Sequence, residues 1–384
     1  MEVRKFLASA PGKLVRIPEG VDAFVPAPLP ERFALDVRTQ LLLSEADRAI
    51  GELSGIGRFL ANPHILIRPF SQREAVSSSR IEGTQSTEQD LFLFEVSPHD
   101  YPRTDDLREV LNYVEALKYG LARLKTLPVS LRLIRELHEK LLHGVRGKEK
   151  TLGRFREIQN FIGKSGQHIA DARFVPPPPS ELAQALDLLE KFIHSGNETP
   201  FLVKLALIHY QFEAIHPFED GNGRIGRLLI PLLLCDGGYL KEPLLYLSSY
   251  FERHRETYAD LLLRVSQEGT WMDWVAFFLR GIAEEARDAI LRAKALSDLR
   301  EVYRERVQTA RSSALLLKLI DRLFESPAIT VSSAESFLRV TYPSAQKNIY
   351  KLVAAGILKE DKARKRNRVF WAQEILETIQ KAAE

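Results

Sequence analysis

The sequence is almost without cysteine: one residue in 384, Cys235. Structural disulfides and cysteine-built zinc sites are excluded by that count. Cys235 follows a leucine-rich stretch, residues 231–234, and reads as a small buried residue. Also lacking is any uncharged apolar run long enough to span a bilayer. Residues 1–14 mix charges around an early proline, without the apolar stretch of a secretory leader. Together these absences point to a reducing, cytoplasmic setting and no membrane partner. Neither sign of charge dominates, since 54 Lys and Arg face 51 Asp and Glu for a net +3. Any basic surface must therefore be local. What remains is an ordinary globular composition, 45% hydrophobic, of a length that suits two or three domains.

Residues 1–33 are rich in Pro and Val without helical period and look like an extended arm over the surface. Helical spacing of apolar residues then dominates. It predicts helices over 34–60, 70–81 (stopped by Gly83), 104–124 and 130–143. Residues 147–175 break the pattern with glycines and alternating apolar positions, which predicts a hairpin ended by the four prolines 176–179. Ser180 is expected to cap a helix to about 194. Further helices are expected over 200–214, 222–236, 251–267 and 271–308. The last segment, 312–384, reads as three short helices and an alternating, basic stretch over 357–371.

The chemistry concentrates in His216-Pro217-Phe218-Glu219-Asp220-Gly221-Asn222-Gly223-Arg224-Ile225-Gly226-Arg227. Gly221 and Gly223 let the backbone turn tightly and approach a ligand at a helix start. The N–H groups and dipole there favour an anion. Arg224 and Arg227, three apart, share a helical face, and each can fork onto phosphate oxygens. Asp220 is a hard oxygen ligand suited to Mg²⁺ bound with phosphates. A neutral His216 can take a proton from an attacking hydroxyl. Phe218 would anchor the loop in the core. Phosphate cradle, metal ligand and general base make the outfit for phosphoryl or nucleotidyl transfer. Any one of these features alone is usually structural; together within twelve residues they point to function.

The segment matches the motif of the Fic family at every defining position, His-Pro-Phe-x-Asp-Gly-Asn-Gly-Arg-x-x-Arg, and the resemblance covers roughly residues 35–300. It implies a mainly α, Fic-type helical fold with a small β-hairpin flap. It also implies transfer of AMP from ATP, with Mg²⁺, to a Ser, Thr or Tyr hydroxyl of a protein. Matched by position, His216 would be the base and Asp220 the metal ligand. Gly221, Asn222 and Gly223 would hold the α- and β-phosphates, and Arg224 and Arg227 the β/γ end, with Ile225 and Gly226 between them. The Gly-Asn-Gly-Arg form resembles the AMP-transferring branch rather than the phosphorylating toxins. Ser78-Ser79-Arg80-Ile81-Glu82-Gly83 is similar to the family's inhibitory pattern, Ser/Thr-x-x-x-Glu-Gly/Asn. Glu82 would then pair with Arg227 and keep ATP off in cis; the plain alternative is a helix end at a glycine. Residues 163–175 resemble the family's flap, an edge for an extended target segment, with Gly153, Arg154, Phe155, Arg156 and Asn160 fixing its base. Tyr246, Tyr250 and Tyr258 follow the motif helix, and Tyr258 matches a position near the adenine.

His138 and His143 are five apart, not four, so they do not form a zincin pair. Gly163-Lys164-Ser165 lacks the glycine a P-loop needs five residues earlier. His209, in an apolar helix, reads as a core histidine. Residues 332–338 and 343–355, then 357–371, resemble a winged helix-turn-helix. That class would set Ser344, Gln346, Lys347, Asn348 and Lys351 toward a DNA major groove. The basic wing would carry Lys359, Lys362, Arg364, Lys365, Arg366 and Arg368. A docking or dimerisation module is the equal alternative. The expected organisation is thus an N-terminal arm and inhibitory region over 1–110, a Fic core over 111–300 and a winged-helix-like module over 301–384. AMP removal or another nucleotidyl transfer by the same fold, and a nucleotide-sensing DNA-binding regulator, stand as the competing functions; self-modification and a homodimer stay open.

Overall fold

The computed structural model describes residues 1–380 except 60–63, 102, 146–151, 164–165, 197, 309–313 and 362–366. The chain opens with a 3-10 turn at Val3–Lys5 and an antiparallel hairpin, β1 (Gly12–Arg16) and β2 (Asp22–Pro26). Helices α1 (Val37–Phe59), α2 (His64–Ile81), α3 (Glu88–Val96), α4 (Asp105–Arg123) and α5 (Leu131–Leu142) follow. Next come α6 (Pro179–His194), α7 (Phe201–Ile215), α8 (Asn222–Asp236), α9 (Ser248–Arg253), α10 (Arg255–Glu268) and the 37-residue α11 (Trp271–Val307). The chain continues through α12 (Ala314–Glu325), β3 (Ala328–Thr330), α13 (Val331–Leu338) and α14 (Tyr342–Ala354). It closes with β4 (Lys359–Glu360), β5 (Val369–Trp371) and α15 (Gln373–Gln380).

Two helices form the centre. Residues 202–212 of α7 and 224–234 of α8 are buried on every side, as helices apolar all round must be. They pack on each other, with α11 and α10 against α7 and with α4 and α5 against α8; α1 runs along α11. The loop between α7 and α8 is therefore held by the two most deeply buried helices of the molecule. No described helix is long and apolar enough to cross a membrane.

Several expectations need correction. Residues 1–33 are not a plain arm: β2 joins the flap region, with Phe24 N–H donating to Val175 O at 2.8 Å. Ile17 and Ala23 pack with Ala172 and Val175. The hairpin expected over 147–175 reduces, among described residues, to one bridge, Ile162 with Phe174. A 3-10 turn at Ile169–Asp171 takes up part of the segment between them. Ser180 is not a cap; Pro178 holds that position without a side-chain bond and Pro179 opens α6, where a missing N–H costs nothing. The helix expected over 251–267 is two, α9 and α10, because His254 leaves helical backbone at φ −116°, ψ 35°. α3 went unread, although Thr87 and Asp90 cap it reciprocally.

The C-terminal strands form a three-stranded antiparallel sheet in the order β3-β5-β4. α12 and α15 pack on α2, and α3 packs on β3. Arg292 of α11 ties this end down, donating from Nη1 to Thr378 O and Ile379 O, both at 2.8 Å. On α14, Lys347 and Lys351 are exposed. Asn348 is not: it is buried and donates to Ser344 O at 2.9 Å, so it does not face a groove. Lys362, Arg364, Lys365 and Arg366 lie outside the described residues.

Candidate active site

α7 ends at His216, whose left-handed backbone (φ 49°, ψ 60°) turns the chain out of the core. A residue with a side chain is held there only where its surroundings fix it, and three long-range side chains do so. Arg156, 3% exposed, has no carboxylate partner among the described residues. It donates to backbone carbonyls: Nε to His216 O (2.9 Å), Nη2 to Pro177 O (2.5 Å) and Ile215 O (3.4 Å), and Nη1 to Ile158 O (3.2 Å). Burial lowers its pKa to about 10. Asn160 Nδ2 donates to Phe218 O at 2.8 Å and to His216 O at 3.4 Å. His138, the discarded zinc candidate, stacks on Phe218 with centroids 3.8 Å apart. Gly153 N–H donates to its Nδ1 at 3.1 Å, so Nε2 carries the hydrogen and donates to Asp220 O, also at 3.1 Å. Burial lowers the His138 pKa to about 4, which keeps this tautomer neutral.

His216 itself is held from behind. Its Nδ1–H donates to Glu213 O at 3.3 Å, leaving the Nε2 lone pair as the basic position. Burial, helped by nearby Arg156, pushes its pKa down to about 4. The imidazole is thus unprotonated at neutral pH.

α8 begins at once after the loop, with Gly221 at φ 79° as its N-cap. Asn222 spends its side chain inside the loop, accepting from Phe218 N–H and donating to Phe218 O, both at 2.8 Å. It offers a ligand only its backbone. The first i to i−4 bond runs from Ile225 N–H to Gly221 O at 3.0 Å. The N–H groups of Asn222, Gly223 and Arg224 therefore belong to the open first turn. A Cβ on Gly223 would collide with Glu82 Oε1 and lie 2.9 Å from Arg227 Nη1. The Glu82 carboxylate therefore lies over the first turn of α8, where an anion is favoured.

Arg227 is 2% exposed and faces the end of α2. It donates from Nε to Ser78 Oγ (2.9 Å), and from Nη2 to Ser78 O (3.0 Å) and Glu82 Oε1 (2.5 Å). Burial alone would raise the Glu82 pKa, but Arg227 outweighs it and holds the carboxyl below its ordinary value. Gly83 stops the helix at φ 105°, a backbone suited to glycine. Arg224 shares α8 with Arg227 but turns elsewhere: Nη1 donates to Glu109 Oε2 at 2.7 Å, and Nη2 lies 3.6 Å from Asp220 Oδ2.

Behind Glu82 lies a cavity of about 280 Å³ lined by Ile162, Phe174, Tyr210, Glu213, His216, Gly223, Arg227, Tyr258 and Leu263, among others. Tyr258 presents its ring there while its hydroxyl donates to His209 Nε2 at 2.8 Å. The other His209 nitrogen meets Gly226 O at 3.2 Å, so His209 is a satisfied core residue. Tyr246 and Tyr250 are buried and absent from this lining. Gly226 leaves room for the Glu213 side chain, since a Cβ would strike its Oε1. Sequence reasoning missed Glu213, Glu109 and the role of His138. The one signal was the lone acid in the mostly apolar α7.

A Mg²⁺ ion shared with phosphates needs only one or two carboxylates. Asp220 fits as that ligand, with its side chain 38% exposed beside the first turn of α8. No group of three or more His, Cys, Asp or Glu able to hold a metal gathers among the described residues.

A neutral imidazole, an anion seat at a helix start and a buried arginine thus line one cavity. Residues 40–122 match the family model described as Fic/DOC family N-terminal, and residues 128–234 match the Fic/DOC family model; the chain carries both of these domains. It is 31% identical over 227 residues to protein adenylyltransferase Fic of Drosophila grimshawi, covering 58% of this chain and 42% of that protein. With the protein of that name from Aedes aegypti it shares 33% over 177 residues, 45% of this chain and 32% of that one. The chain thus spans less than half the length of these curated relatives. Among solved structures, a Fic family protein from Desulfovibrio desulfuricans superposes with a TM-score of 0.56 at 20% identity, covering 88% of this chain and 97% of the other. Fic-1 of C. elegans gives 0.52 at 19%, covering 68% and 74%. Both likenesses concern the fold.

Proposed function

We propose that this chain transfers AMP from ATP to a hydroxyl of a target protein and is held off by its own Glu82. The observation that carries the reading is the position of the Glu82 carboxylate, on Arg227 and over Gly223, where the phosphate tail of ATP would sit. The kinship with named adenylyltransferases supports the same reading.

With Glu82 withdrawn, the first turn of α8 would bind the α- and β-phosphates through backbone N–H groups, and Arg227 would take the end of the tail. Arg224, tied to Glu109 and Asp220, would chiefly orient Asp220. Mg²⁺ held by Asp220 and the phosphates would offset charge on the departing pyrophosphate. The target hydroxyl gives its proton to His216 Nε2 as its oxygen bonds to the α-phosphorus. The bond from that phosphorus to the bridging oxygen breaks, and pyrophosphate leaves with the electron pair. The edge near Ile162 would align the target segment, since β2 already occupies the Val175 side. The Tyr258 ring would line the nucleotide cavity.

The order of elements from α12 to β5 supports a winged helix-turn-helix over 301–384, with Lys347 and Lys351 on its second helix for duplex DNA. The target and self-modification are read by the same labelling. The full Glu82→Gly chain is incubated with lysate and ATP labelled at either the α- or the γ-phosphate. The reading requires α-label on protein. Label that depends on the added chain and comes from the γ-phosphate instead would make the enzyme a kinase and end the proposal.

A further inference from the structure

Glu213 is the acid that the reading above leaves unused. It sits on α7 one turn before His216, with its carboxyl in the nucleotide cavity. Oε1 is buried without a hydrogen-bond partner, and the carboxyl makes no hydrogen bond among the described residues. Buried polar groups are nearly always bonded, so an orphan calls for an explanation. The position has been cleared for it: Gly226, one residue before Arg227, lacks the Cβ that would displace it.

The groups facing Glu213 are Arg227 from α8, Glu82 from the end of α2, and Tyr258 from α10. Burial, with Glu82 beside it, lifts the Glu213 pKa from 4.5 to about 7, against the pull of Arg227. In the blocked state Arg227 therefore already has a carboxylate, and Glu213 stays protonated up to about neutral pH. Once Glu82 withdraws, a cation that is 2% exposed would lose its hydrogen-bonded counter-charge, a costly state; Glu74, another buried acid that feels Arg227, is engaged by Tyr113 and Ser248. Glu213 is the nearby acid able to ionise and supply one.

We propose that Glu213 is the positioning residue of Arg227: it ionises and pairs with the guanidinium when Glu82 leaves, and gives it up when the phosphate tail arrives. It keeps Arg227 in place between the two states. The proposal rests on the Glu82-blocked reading of the site, but its first test needs neither ATP nor activity.

The test is a pH series of melting temperatures for the full chain, Glu213→Gln, Glu82→Gly and Glu82→Gly/Glu213→Gln. The sign follows from linkage. A carboxyl with a raised folded-state pKa favours folding most below its unfolded pKa, and the advantage is lost as pH rises through the folded one. Relative to Glu213→Gln, the intact chain should lose melting temperature from about pH 4.5 to 7. In the Glu82→Gly pair that loss should vanish, because Arg227 then favours the ionised form. His216 titrates near 4 and cancels in each pairwise difference. The same pH-dependent difference in both pairs, or in neither, would overturn the proposal.

A second measurement takes the affinity of the two Glu82→Gly variants for ATP. Affinity with Glu213 present should fall, relative to Gln, as pH rises and the carboxylate competes for Arg227. A uniform loss on Glu213→Gln at every pH would instead make Glu213 a direct nucleotide contact and sink the positioning role. Failure of both Glu82→Gly variants to bind ATP would count against the function proposed above and leave the melting result standing.

Discussion

Replacing Glu82 by glycine should tighten ATP binding by about 10- to 150-fold. The carboxylate gives Arg227 a charge-assisted hydrogen bond at 2.5 Å. Bonds of that kind are worth about 1.5–3 kcal/mol. The full cost of breaking a buried pair, about 3–5 kcal/mol, is not appropriate, because the Glu82 side chain is 40% exposed and water takes up part of its charge. ATP must displace this bond and also the carboxylate over Gly223, so 1.5–3 kcal/mol enters its apparent affinity directly, at about 1.4 kcal/mol per tenfold. Glycine suits the position because the chain already reverses at Gly83. The assay is equilibrium binding of a fluorescent ATP analogue with Mg²⁺ at pH 7.5, in moderate salt. A Kd for Glu82→Gly within twofold of the intact chain would refute the reasoning. If Glu82→Gly/Glu213→Gln, which leaves Arg227 no replacement carboxylate, gains nothing either, the phosphate tail does not use Arg227 or the first turn of α8.

Other outcomes follow from the same geometry. His216→Ala in the Glu82→Gly background should lower transfer by about 10²–10⁴ and leave ATP affinity within a few-fold, read by single-turnover labelling beside the binding assay. Because burial holds His216 near pKa 4, the base is competent above that value. At saturating ATP, kcat should stay level from pH 8 to about 5 and fall only as pH approaches 4; an acid limb centred near the ordinary 6.5 would contradict the burial. Arg156→Ala strands the carbonyls of Ile158, Pro177, Ile215 and His216, and should cost about 2–4 kcal/mol of stability in urea unfolding. Asp220→Asn should raise the Mg²⁺ concentration needed for half-maximal labelling, with little change in melting temperature.

The site was legible in the sequence wherever its parts are local. Gly221, Gly223, Asp220 and His216 lie on one loop and one helix start, so their spacing in the sequence already brings them together. α8 was read to the residue, because its glycine cap and apolar run are both contained in the segment. The parts that escaped are joined across long stretches of chain. Arg224 meets Glu109 over 115 residues, and His138 reaches Asp220 over 82. No period or motif encodes such pairs; packing of α4 and α5 against α8 makes them. The spacing of Arg224 and Arg227 suggested a shared phosphate fork, yet distant acids turn the two guanidinium groups apart. Asn222 sits in the motif like a ligand, but its side chain closes the loop. The flap was overread because alternation among residues 161–174 suggested strands, while backbone pairing there amounts, among the described residues, to one bridge.

The most direct measurement of the central claim compares label from α-labelled ATP on protein for the intact chain, Glu82→Gly and Glu82→Gly/His216→Ala, with Mg²⁺ and lysate. The account predicts weak label with the intact chain, strong label with Glu82→Gly, and none above background with the double variant. Equal label in the first two would remove Glu82 as the block, and undiminished label in the third would remove His216 as the base.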